Sequence, residues 1–366
     1  MTSSSRVEPI DRQKEFSGVD AVRPAHRFDE SRLEAYMADR VEGFRGPITV
    51  EQFKGGQSNP TYRITAPSGR YVLRRKPPGK LLPSAHAVDR EYRVIAALHP
   101  HGFPVARPYV LCNDDSVIGT AFYIMDFVDG RVFWDPAAPG VSPAERGAIY
   151  DSLNATIAQL HSFDYTALGL GDFGKAQGYV ARQIKRWSEQ YKASETRHIP
   201  EMDRLMAWLP EACPESTDSA LVHGDFRLDN TIIAPDEPRI SAVLDWELST
   251  IGDPIADFTY HIMQWRMPPS EINAGVGTLV GHDLSALGIP PIEAYIERYC
   301  ERTGRSSIPA IDFYLAYNFF RLAAIFQGIV GRVRDGTAAN PKAAAMETQV
   351  EPMAKVAWAY ARAAGA

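Results

Sequence analysis

The sequence predicts an α+β architecture with a small β-rich N-terminal lobe and a larger helical C-terminal lobe. Three observations lead there. Short strand-like runs punctuated by turns fill the chain to about residue 125, long amphipathic periods dominate after residue 142, and one short β-rich stretch interrupts them at 223–246. With 366 residues the chain is long enough for two lobes around a substantial core.

In the first part, 51–53 leads into Gly55-Gly56, 61–65 alternates as a strand, and Pro67-Ser68-Gly69 turns the chain into 71–74. A helix over 88–98 places Val88, Tyr92, Ile95 and Ala96 on one face, and 121–125 closes the lobe as a strand. A small antiparallel sheet with one helix is expected for 26–125, a hinge for 126–130 and a helical lobe for 131–366. Residues 1–25 lack sustained periodicity and are expected to form a mobile arm.

In the second part, Ser142-Pro-Ala-Glu145 is a capping box with proline at the first helical position, and Ile149, Leu153, Ile157 and Leu160 follow at helical spacing. A helix over 179–192 buries Val180, Ile184, Trp187 and Tyr191 and turns Arg182, Lys185 and Arg186 outward. The most apolar run, 313–330, contains Asn318, Arg321 and Gln327, so a buried core helix is expected rather than a membrane span.

Bulk properties exclude several functions. A formal net charge of -6 argues against the basic footprint of a nucleic-acid binder. Cys112, Cys213 and Cys300 show no metal spacing and no even disulfide set. The first 16 residues are polar, without the apolar core of a secretory signal. Together these predict a cytoplasmic protein without a membrane partner; oligomeric state is left open.

The chemistry concentrates in His223-Gly-Asp225-Phe-Arg-Leu-Asp-Asn230 and the two apolar runs after it, folded into a hairpin by a proline-bounded turn at 235–238. Asn230 before the first strand and Asp245 after the second then meet at one open end. An amide oxygen and a carboxylate there are hard ligands suited to magnesium. Asp225 enters the same end at the Asp-x-x-x-x-Asn spacing of kinase catalytic loops. Phosphoryl transfer needs a carboxylate to orient a hydroxyl and take its proton, and metal ions to neutralise phosphate charge.

His223-Gly-Asp225-x-x-x-x-Asn230, Asp245 and Gly252-Asp-Pro-Ile-Ala-Asp257-Phe resemble the aminoglycoside phosphotransferase and choline kinase-like family of small-molecule kinases. The resemblance implies a protein kinase-like two-lobed fold, ATP and Mg2+ as cofactors, Asp225 as catalytic base, and Asn230 and Asp245 as metal ligands. Asp257 would support the catalytic loop from behind. His161, ending Ile-Ala-Gln-Leu-His, also fits the family and reads as a satisfied core or capping histidine.

On the nucleotide side, Gly55 and Gly56 allow close backbone approach to phosphates, and Ser58 and Asn59 can add donors. By resemblance, Arg74 and Glu91 stand where the family has a lysine-glutamate pair, and Asp126 and Val128 lie where hinge backbone meets adenine. The arginine is a departure, and Arg75 and Lys76 follow it directly. Strand alternation puts Arg74 and Lys76 on one face and Arg75 on the other, where Arg75 is expected to be solvated.

A second resemblance, carried by Arg74-Arg-Lys-Pro-Pro-Gly-Lys80 and the 313–334 segment, is to kinase domains associated with acyl-CoA dehydrogenases. It implies a hydroxyacyl-CoA as the small-molecule hydroxyl substrate. The alternative is an aminoglycoside or other amino-alcohol. Those polycations need clustered carboxylates, and the chain ends Ala361-Arg-Ala-Ala-Gly-Ala366 without any. Readings from other classes are a metal-dependent hydrolase built on His223, Asp225 and Asp245, and a non-catalytic nucleotide-binding scaffold.

Overall fold

A computed structural model describes residues 12–55, 59–77, 87–215, 218–270, 277–336 and 341–366, with backbone only at 341–343. The N-terminal lobe is a six-stranded antiparallel sheet in the order β1-β2-β3-β4-β6-β5. Its strands are β1 (Val19–Asp20), β2 (Thr49–Phe53), β3 (Thr61–Ala66), β4 (Gly69–Arg75), β5 (Pro108–Cys112) and β6 (Phe122–Asp126). The β3–β4 hairpin pairs Ala66 with Gly69, so Pro67-Ser68 forms the expected turn.

Period-2 alternation divides this sheet into two faces. Tyr71 and Leu73 of β4 join Leu33, Met37, Tyr62 and Ile64 in a small outer core, whereas Val72 joins the main core. The outer core is covered by α2 (Glu30–Arg40), which Asp29 caps by accepting from the Arg32 amide at 3.1 Å. The inner face carries α3 (Val88–Leu98), whose buried residues are Val88, Glu91, Val94, Ile95 and Leu98. The expectation of a single helix in this lobe was therefore short by two, the second being the short α4 (Asp115–Ile118). Of the expected face Val88 and Ile95 are buried while Tyr92 and Ala96 are half-buried, and the buried stripe adds Glu91, Val94 and Leu98.

Two further corrections concern the ends of this lobe. The arm expected to be mobile to residue 25 instead holds, from Arg12 on, helix α1 (Arg12–Phe16) and strand β1, which pairs Val19 with Phe53 on β2. Arg75 is only 2% exposed. Its guanidinium lies over the Phe28 and Tyr62 rings and donates to the Ile118 carbonyl at 3.2 Å. Alternation placed Arg75 on the right face, but that face is an aromatic core and not solvent.

The short α4 (Asp115–Ile118) precedes β6; the helical lobe begins after it. Its helices are α5 (Pro143–Ser162), α6 (Tyr179–Ser194), α7 (Pro200–Ala212), α8 (Pro254–Ile262), α9 (Leu284–Leu287), α10 (Ile292–Thr303), α11 (Ile311–Arg334) and α12 (Glu347–Ala363). The Ser142 hydroxyl accepts from the Glu145 amide at 3.2 Å, as the capping box predicts. Helix α6 buries Val180, Ile184, Trp187 and Tyr191, the four residues its period selects. Helix α11 is long and apolar enough to cross a membrane, yet 89% of its apolar window is buried inside the protein. Two of its polar residues find backbone partners there, with Asn318 donating to the Ala256 carbonyl and Gln327 to the Ser194 carbonyl.

Strands β7 (Ala220–Val222), β8 (Thr231–Ile233), β9 (Ile240–Val243) and β10 (Thr250–Gly252) supply the β-rich interruption. β8 and β9 form the expected hairpin, pairing Thr231 with Val243, and β7 pairs with β10.

Candidate active site

A cleft of about 730 Å³ is lined by residues of both lobes. Of the residues singled out in the sequence, Gly55, Arg74, Asp126, Val128, Asn230 and Asp245 line it. Asp225 stands beside it, joined through Asn230. Gly56 and Ser58 lie outside the described residues.

The loop between β7 and β8 is held by its backbone. Gly224 has φ +84°, and a Cβ there would sit 2.9 Å from the Leu248 carbonyl oxygen, so glycine meets both a conformational and a steric demand. Asp257 accepts from the His223 and Gly224 amides, both at 2.8 Å. This places Asp257 behind the loop, as expected. Burial alone would raise its pKa, but the His161 ring at 3.2 Å and the amides overcome this and hold it low. His161 also meets the Tyr299 hydroxyl at 2.8 Å and is a satisfied core histidine.

Both ring nitrogens of His223 are committed. Nε2 lies 2.8 Å from the Leu244 carbonyl, to which it donates, and Nδ1 accepts from the Asp225 amide at 3.2 Å. No lone pair is left for a metal. Among the described residues no group of three His, Cys, Asp or Glu side chains could hold an ion. The hydrolase reading loses its histidine ligand.

The Asp225 carboxylate is oriented by three neighbours. Tyr260 donates its hydroxyl to Oδ1 at 2.7 Å, Asn230 donates its amide to Oδ2 at 2.9 Å, and Arg227 Nε lies 3.0 Å from Oδ1. Because the Asn230 nitrogen is spent on Asp225, its amide oxygen is the atom available as a ligand. The Leu244 amide donates to the Asn230 carbonyl at 2.8 Å, which fixes Asn230 one residue from direct opposition to Asp245. An amide oxygen and a carboxylate in one cleft suit magnesium, which keeps several waters and takes further oxygens from substrate phosphates. Asp245 itself has φ 63°, ψ 60°, a left-handed conformation that aspartate tolerates better than most residues.

Across the cleft, Arg74 Nε lies 2.8 Å from Glu91 Oε2, and Nη2 donates to Asp245 Oδ1 at 2.5 Å. Burial would lower the Arg74 pKa, but Asp245 and Glu91 outweigh it and raise the value, so the guanidinium stays charged. Glu91 also accepts from the Tyr123 hydroxyl at 3.1 Å and the Asn59 amide at 2.7 Å. Asn59, expected to face phosphates, is thus fully buried behind Glu91. Lys76 lies past the end of β4, and Arg74 is the cation of this strand that lines the cleft.

In the segment expected to be the hinge, the Asp126 amide donates to the Arg107 carbonyl at 2.9 Å and its carboxylate accepts from Tyr109. The Asp126 side chain therefore points to β5, and only backbone at this position can meet a ligand. Arg131 forms a β-bridge with Ile233, and a Cβ on Gly130 would collide at 2.3 Å with Ile232 and Ile233.

Sequence reasoning missed Tyr260, Arg227 and Arg321. Arg321 donates to the Gly224 carbonyl at 2.8 Å and lies over the Tyr260 ring. Its signal was an arginine inside an otherwise apolar helical run, which on burial must find partners.

A sequence model of the phosphotransferase enzyme family matches residues 49–313. Acyl-CoA dehydrogenase family member 11 of Rattus norvegicus is 45% identical over 342 residues, covering 91% of this chain. The chain spans only 43% of that relative's length. The crystal structure of a candidate aminoglycoside phosphotransferase from Ralstonia eutropha JMP134 is 51% identical, with TM-score 0.84, covering 92% of this chain and 99% of that one. More distant structures share the fold. Spectinomycin phosphotransferase, solved with ADP and spectinomycin, has TM-score 0.60 at 11% identity, covering 92% of this chain and 99% of that one. Choline kinase from Cryptosporidium parvum Iowa II has TM-score 0.56 at 12% identity, covering 92% and 95%. On the matched span and these identities, the chain belongs to the phosphotransferase enzyme family, with a kinase-like two-lobed fold.

Proposed function

We propose that the protein transfers the γ-phosphate of ATP to a hydroxyl of a small molecule, and that the acceptor is a hydroxyacyl-CoA. The observation that carries the transfer reading is the convergence in one cleft of Asn230, Asp245 and the Arg74–Glu91 pair, with Asp225 joined to Asn230. Asp225 would orient the acceptor hydroxyl and take its proton. Arg74 would hold nucleotide phosphates, and the base would lie between Val72, Ala106, Phe127, Ile232 and Val243, which line the other end of the cleft. Asn230 and Asp245 would hold magnesium, whose charge offsets that of the phosphate oxygens.

The acceptor reading rests on chemistry and on kinship. The curated relatives at 41–45% identity carry acyl-CoA dehydrogenase names. Lys185 and Arg186 are exposed on α6 and could meet the phosphates of coenzyme A, whereas Arg182 is folded back onto the Gln177 and Lys175 carbonyls. The test is ADP release with a medium-chain hydroxyacyl-CoA, a kanamycin-type sugar and choline under the same conditions. Turnover of the thioester above the others is expected. Efficient turnover of the sugar with none of the thioester defeats the acceptor assignment and leaves the transfer reading intact.

A further inference from the structure

Asp229 plays no part in the reading above, yet it is only 4% exposed and immediately precedes Asn230. Its Oδ2 lies 3.1 Å from Arg12 Nη2 and 3.5 Å from Arg227 Nη2. Arg227 reaches in the other direction to Asp225 Oδ1 at 3.0 Å. Four charges thus alternate in a row: Arg12, Asp229, Arg227, Asp225.

Arg12 comes from the far end of the chain, and its position is built rather than incidental. Nη1 donates to the Trp134 carbonyl at 2.9 Å, and the guanidinium lies 5.9 Å from the Trp134 ring centroid. The residues after it are clamped to both lobes. Gln13 donates to the Val132 carbonyl at 3.0 Å and accepts from the Trp134 amide at 3.3 Å. The Phe16 ring packs on Trp134 at 5.1 Å, and β1 extends the sheet.

Arg227 has two carboxylates to serve. A buried carboxylate stripped of a partner is costly and recruits the nearest cation. With Arg12 in place, Asp229 has its own guanidinium, and Arg227 can keep its contact with Asp225. Without it, Asp229 would draw Arg227 toward itself and release one of the three groups that orient Asp225. We infer that Arg12 is a positioning residue: by satisfying Asp229 it holds Arg227 on Asp225, so the N-terminal segment sets the geometry of the catalytic loop. This rests on the reading of Asp225 as the group that orients the acceptor.

The experiment uses the full chain with Arg12→Gln and Arg12→Lys. In Arg12→Gln, kcat should fall on the order of 10- to 100-fold, because small displacements of a reacting group carry large rate penalties. The KM for ATP should change little, and Arg12→Lys should recover most of the rate. Hydrogen exchange supplies a readout independent of turnover: amides at 228–231 should exchange faster in Arg12→Gln, while those of α11 stay protected. Unchanged kcat in Arg12→Gln, or equal loss in Arg12→Lys with unaltered exchange at 228–231, overturns the inference. If the unmodified protein transfers phosphate to no acceptor while the exchange change appears, the proposed reaction fails and the link from Arg12 to the loop stands.

Discussion

Arg74 on β4 and Asp245 after β9 are joined by a 2.5 Å contact that spans the two lobes, and the same guanidinium is held from behind by Glu91. One cation thus serves a fully buried carboxylate and a cleft-facing one. Truncating it leaves Glu91 as an unpaired buried charge, at a cost of about 3–5 kcal/mol. Arg74→Ala should therefore lower both thermal stability and ATP affinity, and Glu91→Ala should reproduce part of the affinity loss. Denaturant titration and calorimetric ATP binding check this. A larger effect on affinity from Lys76→Ala would assign the phosphate contact to Lys76 and overturn the role given to Arg74.

Asp225→Asn should abolish transfer while leaving ATP binding nearly intact. The carboxamide keeps an oxygen for Tyr260 but cannot take a proton, and the residues proposed to meet the nucleotide are others. Single-turnover transfer and ATP titration on the same sample separate the two effects. Near-normal turnover would remove Asp225 from the chemistry.

Asp245 combines a charge with a left-handed backbone, so two substitutions divide its roles. Asp245→Asn keeps a residue at home at φ 63° and loses the charge, whereas Asp245→Ala also adds backbone strain of roughly 1–2 kcal/mol. Both should weaken magnesium-dependent ATP binding, and the alanine variant should melt lower. Unchanged Mg-ATP affinity in both would mean that Asp245 is not a metal ligand.

His261 predicts a pH dependence of stability. It is fully buried, with Nε2 2.7 Å from the Tyr295 hydroxyl, and burial pushes its pKa down from 6.5 to about 4. Between those values the unfolded chain binds a proton that the folded chain refuses. Stability therefore falls as pH drops from 6.5 toward 4, by roughly 3 kcal/mol from this group. Denaturant titrations across that window should give a shallower slope for His261→Gln than for the unmodified protein. Identical slopes would show that another group dominates the acid limb.

What was legible in the sequence was what local chemistry dictates. The hairpin bearing Asn230 and Asp245 follows from a proline-bounded turn, and α5 and α6 from a cap and a 3.6-residue period. Helix α2 carried the same kind of signal, Asp29 followed by Leu33 and Met37, and was readable though not taken. The arm was different. Alone, 12–20 has too little apolar surface to hold a structure, and its order comes from Val132, Trp134 and Asp229, more than a hundred residues away. Arg75 and Asn59 show the same limit from another side. Alternation assigns a face, but whether that face meets solvent, an aromatic ring or a carboxylate depends on distant segments such as Phe28 and Glu91.

The bridge between Arg131 and Ile233, tightened by the approach of Gly130 to Ile232, shortens the part of the connection that can act as a pivot. From Gly130 onward the linker is stitched to the hairpin that carries Asn230 and Asp245, and up to Asp126 it belongs to the sheet. Between those fixed points only 127–129 remain, and even there the Phe127 amide donates to the Arg70 carbonyl at 3.3 Å. Gly55 meets the same connection from the sheet side, since a Cβ there would sit 3.3 Å from the Trp134 ring. The glycine turn after β2 and the hairpin of Asn230 and Asp245 are thus moored to one short stretch of chain, so a change in that stretch would be felt on both sides of the cleft at once.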